Sequence, residues 1–424
     1  MGIAVFISCN STDPSFYVEQ RQNRSTKRGV SYNFQIIDDT KLLSPGISWY
    51  YNWGPDISSA LESNSRQDSL EFFPMAWNGN FDSNRIRAHK QAHPDCQYIL
   101  AFNEPNLTDQ ANMTPRQAAD KWGPIKTLAD ELGMKIVSPA MNYGTLPGYS
   151  DPIVWLDEFF TYVPIDDIAG ISIHSYMSNP GAMASYVRRF YKYNKPIWMT
   201  EFCAWEPNVS NVQTQMRFMS NAINYLESDP NVVKYAWFIP RANGPINSYP
   251  YMQLLTKSAP YELSDLGKVY VNLSTLDKET FYPVNQRIEA EHYSSLDIEE
   301  TVLEGGFKTS VNLQPSTDVD GVLEVHNFFI NQWLEYQVNT PKEGKYSLVL
   351  RYATQFDTTL EVSLFGTTIA TINLNNTGSD TTWNNSLTLI SLPRGKQTIR
   401  LKVKNGALAL NWLKIKNNKE NILY

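Results

Sequence analysis

Between residues 28 and 275, short apolar runs return eight times, and stretches of helical character separate them. Few folds accept such a rhythm. The runs read RGVSYNF, ISWYYNW, EFFPMAWN, YILAFNEP, KIVSPAMNY, GISIHSY, PIWMTEF and VVKYAWFIP. Between them lie segments such as Pro115–Glu131, Pro180–Tyr193 and Val212–Ser228, the last two with apolar residues at i, i+3, i+4 spacing. Thr114 followed by Pro115 is a helix start, because a threonine oxygen can cap and proline lacks only an N–H that would be orphaned anyway. Eight strand–helix repeats in about 250 residues predict an α/β TIM (β/α)8 barrel over residues 28–275. A doubly wound open sheet is the rival, but no glycine-rich phosphate loop follows the first strand.

The pattern changes near TLDKETFYPVNQ, residues 275 to 286. Beyond it, QWLEYQV, GKYSLVLRYA, LEVSLFG, TIATINL, SLTLISL and KQTIRLKV alternate apolar and polar residues, with turns such as NNTGSD and PRG between them. A period of two with polar turns predicts an all-β, jelly-roll-like sandwich. The expected division is a leader over 1–27, a barrel over 28–275, a linker over 276–286, a sandwich over 287–416 and a tail over 417–424.

The bulk numbers exclude several classes. Net charge is −7 with lysine and arginine dispersed, so no basic stripe recommends nucleic acid as a partner. No run is long enough to span a bilayer. The start, MGIAVFISCNST, reads as the remnant of a secretory signal with Cys9 as a candidate lipid attachment point, so a secreted or cell-surface monomer is expected. Of the three cysteines, Cys96 precedes its strand and Cys203 follows its own, which predicts opposite barrel ends and no disulfide between them. Aromatic residues make up 13% of the chain, and many sit beside Asn, Gly and Pro at the ends of runs. Rings in such places suit a flat, hydroxylated ligand that stacks on them.

The chemistry gathers at the same strand ends, where a barrel of this kind keeps its reactive groups. They carry Asn33, Trp49 and Trp53, Trp77, Asn103 and Glu104, Asn142, His174 and Tyr176, Glu201, and Trp237. Burying so many polar groups without partners would cost a few kcal/mol each, so core packing does not explain them. Glu104 closes the fourth run and Glu201 the seventh, which lie roughly across the barrel mouth. Two carboxyls about 5 Å apart make a retaining glycosidase, and a gap of roughly 6.5–9.5 Å an inverting one. Metal catalysis finds little support: only His89 and His93 have zinc-helix spacing, and Lys90 stands where that motif needs its glutamate. No G-x-S-x-G elbow announces a serine triad.

AFNEP after the fourth strand and MTEF after the seventh resemble the clan A (β/α)8 glycoside hydrolases. More narrowly, RGVSYNF, WYYNWG, EFFPMAWN, ILAFNEPN, IVSPAMNY, ISIHSY, IWMTEFCAW and YAWFIPR are similar to glycoside hydrolase family 128, retaining β-1,3-glucan hydrolases. That resemblance implies Glu104 as acid/base and Glu201 as nucleophile, with no cofactor for catalysis. It implies Asn103 on the sugar 2-hydroxyl, Tyr176 donating to Glu201, and His174 beside the acid/base. Trp49, Trp53, Tyr143, Trp205 and Trp237 become candidate sugar platforms, with Asn142 a further polar contact. A cis or strained peptide near Trp237 is also implied.

In the second domain, RIEAEHYSS, NQWLEYQVNTPKEGKYSLVLRYAT and ALNWLKI resemble carbohydrate-binding module family 6. The resemblance implies a sugar cleft with Trp383 stacking and Asn411 hydrogen-bonding. Phe328 is the nearest ring for the second platform, with His326 or Asn327 as substitutes. It also implies a structural Ca2+ held by Glu289 and Glu291, since calcium takes oxygen ligands. The expectation is a secreted endo-acting β-1,3-glucanase with an appended glucan-binding module. The alternatives are an exo-acting or oligosaccharide-specific enzyme, or a binding protein that captures β-glucan without cleaving it.

Overall fold

A computed structural model describes residues 22–58, 61–62, 68–205, 209–242, 251–297 and 311–418. Cys9, most of the leader and the end of the tail lie outside the described residues. Each of the eight apolar runs holds one strand: β1 (Arg28–Ser31), β2 (Trp49–Tyr51), β3 (Glu71–Phe72), β4 (Tyr98–Leu100), β5 (Lys135–Val137), β6 (Ile168–Ser175), β7 (Ile197–Phe202) and β8 (Val232–Trp237). They form one parallel sheet in the order β3-β2-β1-β8-β7-β6-β5-β4. The sheet curls in TIM-like fashion until its edges approach. Leu100 N donates to Pro74 O, and Ala76 N to Leu100 O, each at 2.9 Å.

Helices between the strands follow their caps. Thr114 accepts from Gln117 N while the Gln117 side chain accepts from Thr114 N, a reciprocal capping box with Pro115 in the first turn. The stretch expected as one helix over Pro115–Glu131 divides at Lys121 (φ −98°, ψ 0°) into helices Pro115–Asp120 and Trp122–Leu132. Val212–Ser228 is a helix with those bounds, and the Asn211 side chain accepts from Thr214 N to start it.

Strand alternation decides which rings reach the barrel mouth, and it corrects two expectations. Trp49 is fully buried inside the barrel against Phe73 and Trp198, with ring centroids 5.4 and 5.9 Å away. Its Nε1 donates to Lys27 O, just before β1, so the ring lies at the floor rather than at the sugar-binding rim. Trp237 points the other way, into the helical layer. It packs on Phe202 and Tyr270, and its Nε1 donates to Met252 O at 2.8 Å. Neither is a sugar platform: successive side chains on a strand face opposite sides, and Trp237 falls on the outer one.

The C-terminal part is all-β. Short strands β9 (Tyr282–Pro283), β10 (Arg287–Glu289), β11 (Ser295–Leu296) and β12 (Asn312–Pro315) come first. Longer ones follow: β13 (Leu323–Phe329), β14 (Trp333–Thr340), β15 (Gly344–Ala353), β16 (Thr358–Leu364), β17 (Thr367–Leu374), β18 (Asn384–Leu392), β19 (Gly395–Asn405) and β20 (Ala407–Asn417). One sheet runs β12-β13-β20-β15-β18 with β10 beside β20, the other β11-β14-β19-β16-β17 with β9 beside β14. In β13 a register shift between Val325 and Phe328 carries Asn327 at φ 54°. One extra residue inverts the alternation beyond it. Phe328 is therefore fully buried in the core, and Phe329 is turned outward instead. The ring expected in a sugar cleft at Phe328 is a core ring.

The two parts are joined by hydrogen bonds on the Val212–Ser228 helix. Tyr293 OH donates to Asn224 Oδ1, Leu313 N to Ser220 Oγ, and Asn221 Nδ2 to Asn312 Oδ1, at 2.8, 3.1 and 3.1 Å. Several such bonds within one face hold the all-β part in a defined position against the barrel.

Candidate active site

The site forms where the parallel strands end. Glu201, near the end of β7, accepts three hydrogen bonds. Tyr51 OH and Trp53 Nε1 both donate to its Oε1 at 2.7 Å, and Tyr176 OH donates to its Oε2. Three donors match the acceptor-only inventory of an ionised carboxylate and fix its orientation. Burial, then the Glu201 charge, push the Tyr51 and Tyr176 phenols well above their ordinary range, so both stay protonated as donors. Trp49, Tyr51 and Trp53 lie on one face of the β2 segment, two residues apart, and only the upper two reach the carboxylate.

Glu104 sits just past β4 with φ 44°, a left-handed conformation costing an L-residue about 1–2 kcal/mol. Its Oε1 accepts from Asn142 Nδ2 at 3.1 Å and lies 2.8 Å from His174 Nδ1. The same Nδ1 is 3.5 Å from Glu201 Oε2, and these three side chains bring one atom each within 4.8 Å of one another. His174 is wholly buried, and its Nε2 is 2.9 Å from Thr200 Oγ1, which in turn is 2.7 Å from Ser172 Oγ. The β6–β7 register shifts between Ile173 and His174, with His174 opposite Glu201. That irregularity lets neighbouring Thr200 and Glu201 both reach one imidazole. Burial alone would lower the His174 pKa, but the charges of Glu201 and Glu104 outweigh it and raise it.

Over Glu104 and Tyr176, the latter the donor to Glu201 Oε2, lies a cleft of about 540 Å³ whose lining also includes Asn142, Tyr143, Trp205 and Phe238. Tyr143 is 49% exposed at one wall. Trp205 and Phe238 form the other, with centroids 5.8 Å apart and planes inclined by 31°. Phe238 thus takes the place expected of Trp237, one residue along, and the cis peptide lies between Phe238 and Ile239. Asn103 is buried beneath the cleft. Its Nδ2 donates to Gln110 Oε1 at 3.2 Å, and its Oδ1 is left without a protein partner. A larger cavity of about 690 Å³, lined by Lys27, Glu227, Asp277 and Trp333 among others, lies at the opposite end of the barrel, away from the carboxylate pair.

The structure therefore brings together Glu104, Glu201, Asn103, Asn142, Tyr143, His174, Tyr176, Trp53 and Trp205, and sets Trp49 and Trp237 apart. Tyr51, Thr200 and Phe238 escaped the sequence reading. For Tyr51 the signal was available: it stands two residues before Trp53, on the same strand face.

In the all-β domain, Trp383 is half-buried and its Nε1 donates to Thr317 Oγ1 at 3.1 Å. Asn411 is fully buried, and its Oδ1 has no protein partner. Its Nδ2 donates to Asp318 Oδ2 and Asp320 O at 2.8 and 2.7 Å, so its donors hold the loop above it. Glu289 and Glu291 are both buried, and Glu289 Oε2 accepts from Arg287 Nη2 at 2.7 Å. Carboxylate oxygens are ligands that calcium takes, but among the described residues neither glutamate belongs to a metal-sized group of three or more His, Cys, Asp or Glu.

Residues 29–270 match the family model described as glycosyl hydrolase catalytic core, and residues 304–417 match carbohydrate binding module (family 6). The first match spans more than half of the 424 residues, and with the strand-end carboxylates it defines a glycosyl hydrolase. Among solved structures, the GH128 (subgroup II) endo-β-1,3-glucanase of Pseudomonas viridiflava is 35% identical, over 59% of this chain and 99% of that one, with a TM-score of 0.55. The GH128 (subgroup II) endo-β-1,3-glucanase of Sorangium cellulosum is 32% identical, over 58% of this chain and 97% of that one, with a TM-score of 0.52. The chain belongs to glycoside hydrolase family 128, with a family 6 carbohydrate-binding module behind the barrel. A curated relative, alkali-sensitive linkage protein 1 of Schizosaccharomyces pombe, is 26% identical over 262 residues, 58% of this chain and 45% of that protein. The chain thus spans less than half the length of that relative.

Proposed function

We propose that this protein is a retaining endo-β-1,3-glucanase that cleaves laminarin-type glucan outside the cell. The carrying observation is the convergence of Glu104 and Glu201 on His174, all within 4.8 Å. Carboxyls this close leave no room for a water between nucleophile and sugar, which favours the retaining geometry over the inverting one. Both solved relatives above are described as endo-β-1,3-glucanases, and that supports linkage and mode.

In this reading Glu201, held by Tyr51, Trp53 and Tyr176, attacks the anomeric carbon as Glu104 protonates the departing glycosidic oxygen. A covalent glycosyl–enzyme results. Glu104, now the base, takes a proton from water, which attacks the same carbon and releases the sugar with its original configuration. The proton that Glu104 delivers is shared with His174 Nδ1, which Thr200 and Ser172 keep in place. The unspent Asn103 Oδ1 accepts from the sugar 2-hydroxyl, a bond that strengthens as positive charge grows on the ring. Tyr143, Trp205 and Phe238 stack on the pyranose faces.

We further propose that the all-β domain takes up a structural calcium ion through Glu289 and Glu291, with no part in catalysis. The decisive experiment for the hydrolase reading is release of reducing ends from laminarin. Long fragments early in the reaction are expected; single glucose or short products from the first minutes would replace endo with exo action, and tight binding without products would leave a glucan-capturing protein.

A further inference from the structure

A second groove, about 310 Å³, lies between barrel and all-β domain, and neither part could form it alone. From the barrel side it is lined by Gln213 and Arg217, four residues apart and so on one face of the Val212–Ser228 helix. From the other side come Asn312, Gln314, His326 and Asn327. The bulge that turned Phe328 inward is what presents His326 and Asn327 together here. The lining is rich in amides, with a guanidinium and an imidazole, and includes no carboxylate, a set suited to sugar hydroxyls rather than to a cation.

Its position relative to the catalytic cleft is set by the helix. Gln215, in the same first turns, donates from Nε2 to Ala204 O at 2.9 Å, and Ala204 N donates back to Gln215 Oε1 at 3.3 Å. Ala204 is the neighbour of Trp205, a wall of the catalytic cleft. The groove thus lies along the first turns of the helix whose Gln215 is tied to the residue before that wall. On its far side His326 and Asn327 also line a recess beside the exposed rings of Phe329 and Phe356. The hydrogen bonds that Ser220 and Asn224 accept and Asn221 donates across the domain boundary keep the groove's two walls in register.

We propose that this interdomain groove is a distal β-glucan subsite, holding a stretch of the same polymer chain whose scissile bond lies at Glu104 and Glu201. The inference rests on the hydrolase reading for its second clause only. Engagement at the groove raises the effective concentration of polymer at the cleft and adds nothing for a ligand too short to reach both.

The test compares laminarin with laminaritetraose on the full chain and on Arg217→Ala and Gln314→Ala, one substitution in each wall, neither in the catalytic cleft. Each variant is expected to raise KM for laminarin about tenfold, the loss of one or two hydrogen bonds, with kcat and the tetraose KM unchanged. A KM for laminarin that stays at the wild-type value in both variants, or one that moves equally for both ligands, overturns the subsite. Melting temperatures equal to wild type keep misfolding out of the comparison. If the wild type turns over neither ligand, the hydrolase reading falls, and laminarin affinity by calorimetry decides the groove separately: about tenfold weaker binding in the variants supports it, and equal binding removes it.

Discussion

Tyr51 donates its phenolic hydroxyl to Glu201 Oε1 at 2.7 Å, from a strand facing β7 across the barrel interior. Hydrogen bonds to a charged partner are worth about 1.5–3 kcal/mol, so Tyr51→Phe should lower kcat/KM about 10- to 100-fold. Thermal stability should change little, because the ring that fills the site is retained. Steady-state kinetics on laminarin check this; wild-type kcat/KM in the variant would remove Tyr51 from the positioning of the nucleophile.

The two glutamates should fail in different ways. Glu201→Ala is expected to abolish turnover while keeping glucan binding, and added azide should restore bond cleavage with inverted configuration at the product. Glu104→Ala should lose most activity on natural glucan and least on aryl glucosides, whose leaving groups need no proton. Product stereochemistry by NMR and a leaving-group series read both outcomes; equal losses on the two substrate types would take the acid/base role from Glu104.

His174 links the site to pH. Its folded pKa lies above the ordinary 6.5, because Glu201 and Glu104 outweigh the opposing effect of burial. The stabilisation it contributes is therefore fully present below about pH 6.5 and is lost as pH rises through the folded value. Melting curves of wild type and His174→Gln should differ most in the acidic range and converge toward alkaline pH. A difference that widens as pH rises would contradict the charge assignment.

Two tryptophans separate stability from binding. Trp49→Ala opens a cavity in the barrel floor and should cost about 3–5 kcal/mol of stability. Trp205→Ala, at the cleft wall, should leave the melting temperature near wild type and raise KM for glucan several-fold. Denaturant melts paired with KM measurements distinguish them, and the reverse pattern would place the sugar on the wrong ring.

Arg287 Nη2 donates to Glu289 Oε2, so the proposed calcium ion would have to compete with that guanidinium. The calcium proposal expects a chelator such as EGTA to lower the melting temperature of the all-β domain by several degrees, and Arg287→Ala to tighten calcium binding. Calorimetry showing no heat with calcium and no shift with chelator would leave the Arg287–Glu289 pair as the whole of that site.

The resemblance of the motifs to family 128 carried the class of protein. The eight-run rhythm, the strand-end glutamates and the change to period-two patterning near residue 276 were legible because burial and periodicity are local properties of sequence. Asn103, Asn142, His174 and Tyr176 could be named for the same reason, since each stands at the end of an apolar run, whereas Trp205 came only from the resemblance. Tertiary structure alone decided where individual rings point. Trp49 fell to the floor, Trp237 turned out to the helices, and Phe328 turned inward across a bulge, since one residue of register exchanges the two faces of a strand. Tyr51 and Thr200 entered the site through strand pairing across long sequence separations, and the interdomain groove exists only because two domains meet. Alternation is written in the chain, but its phase is set by which strands pair and where a bulge interrupts them.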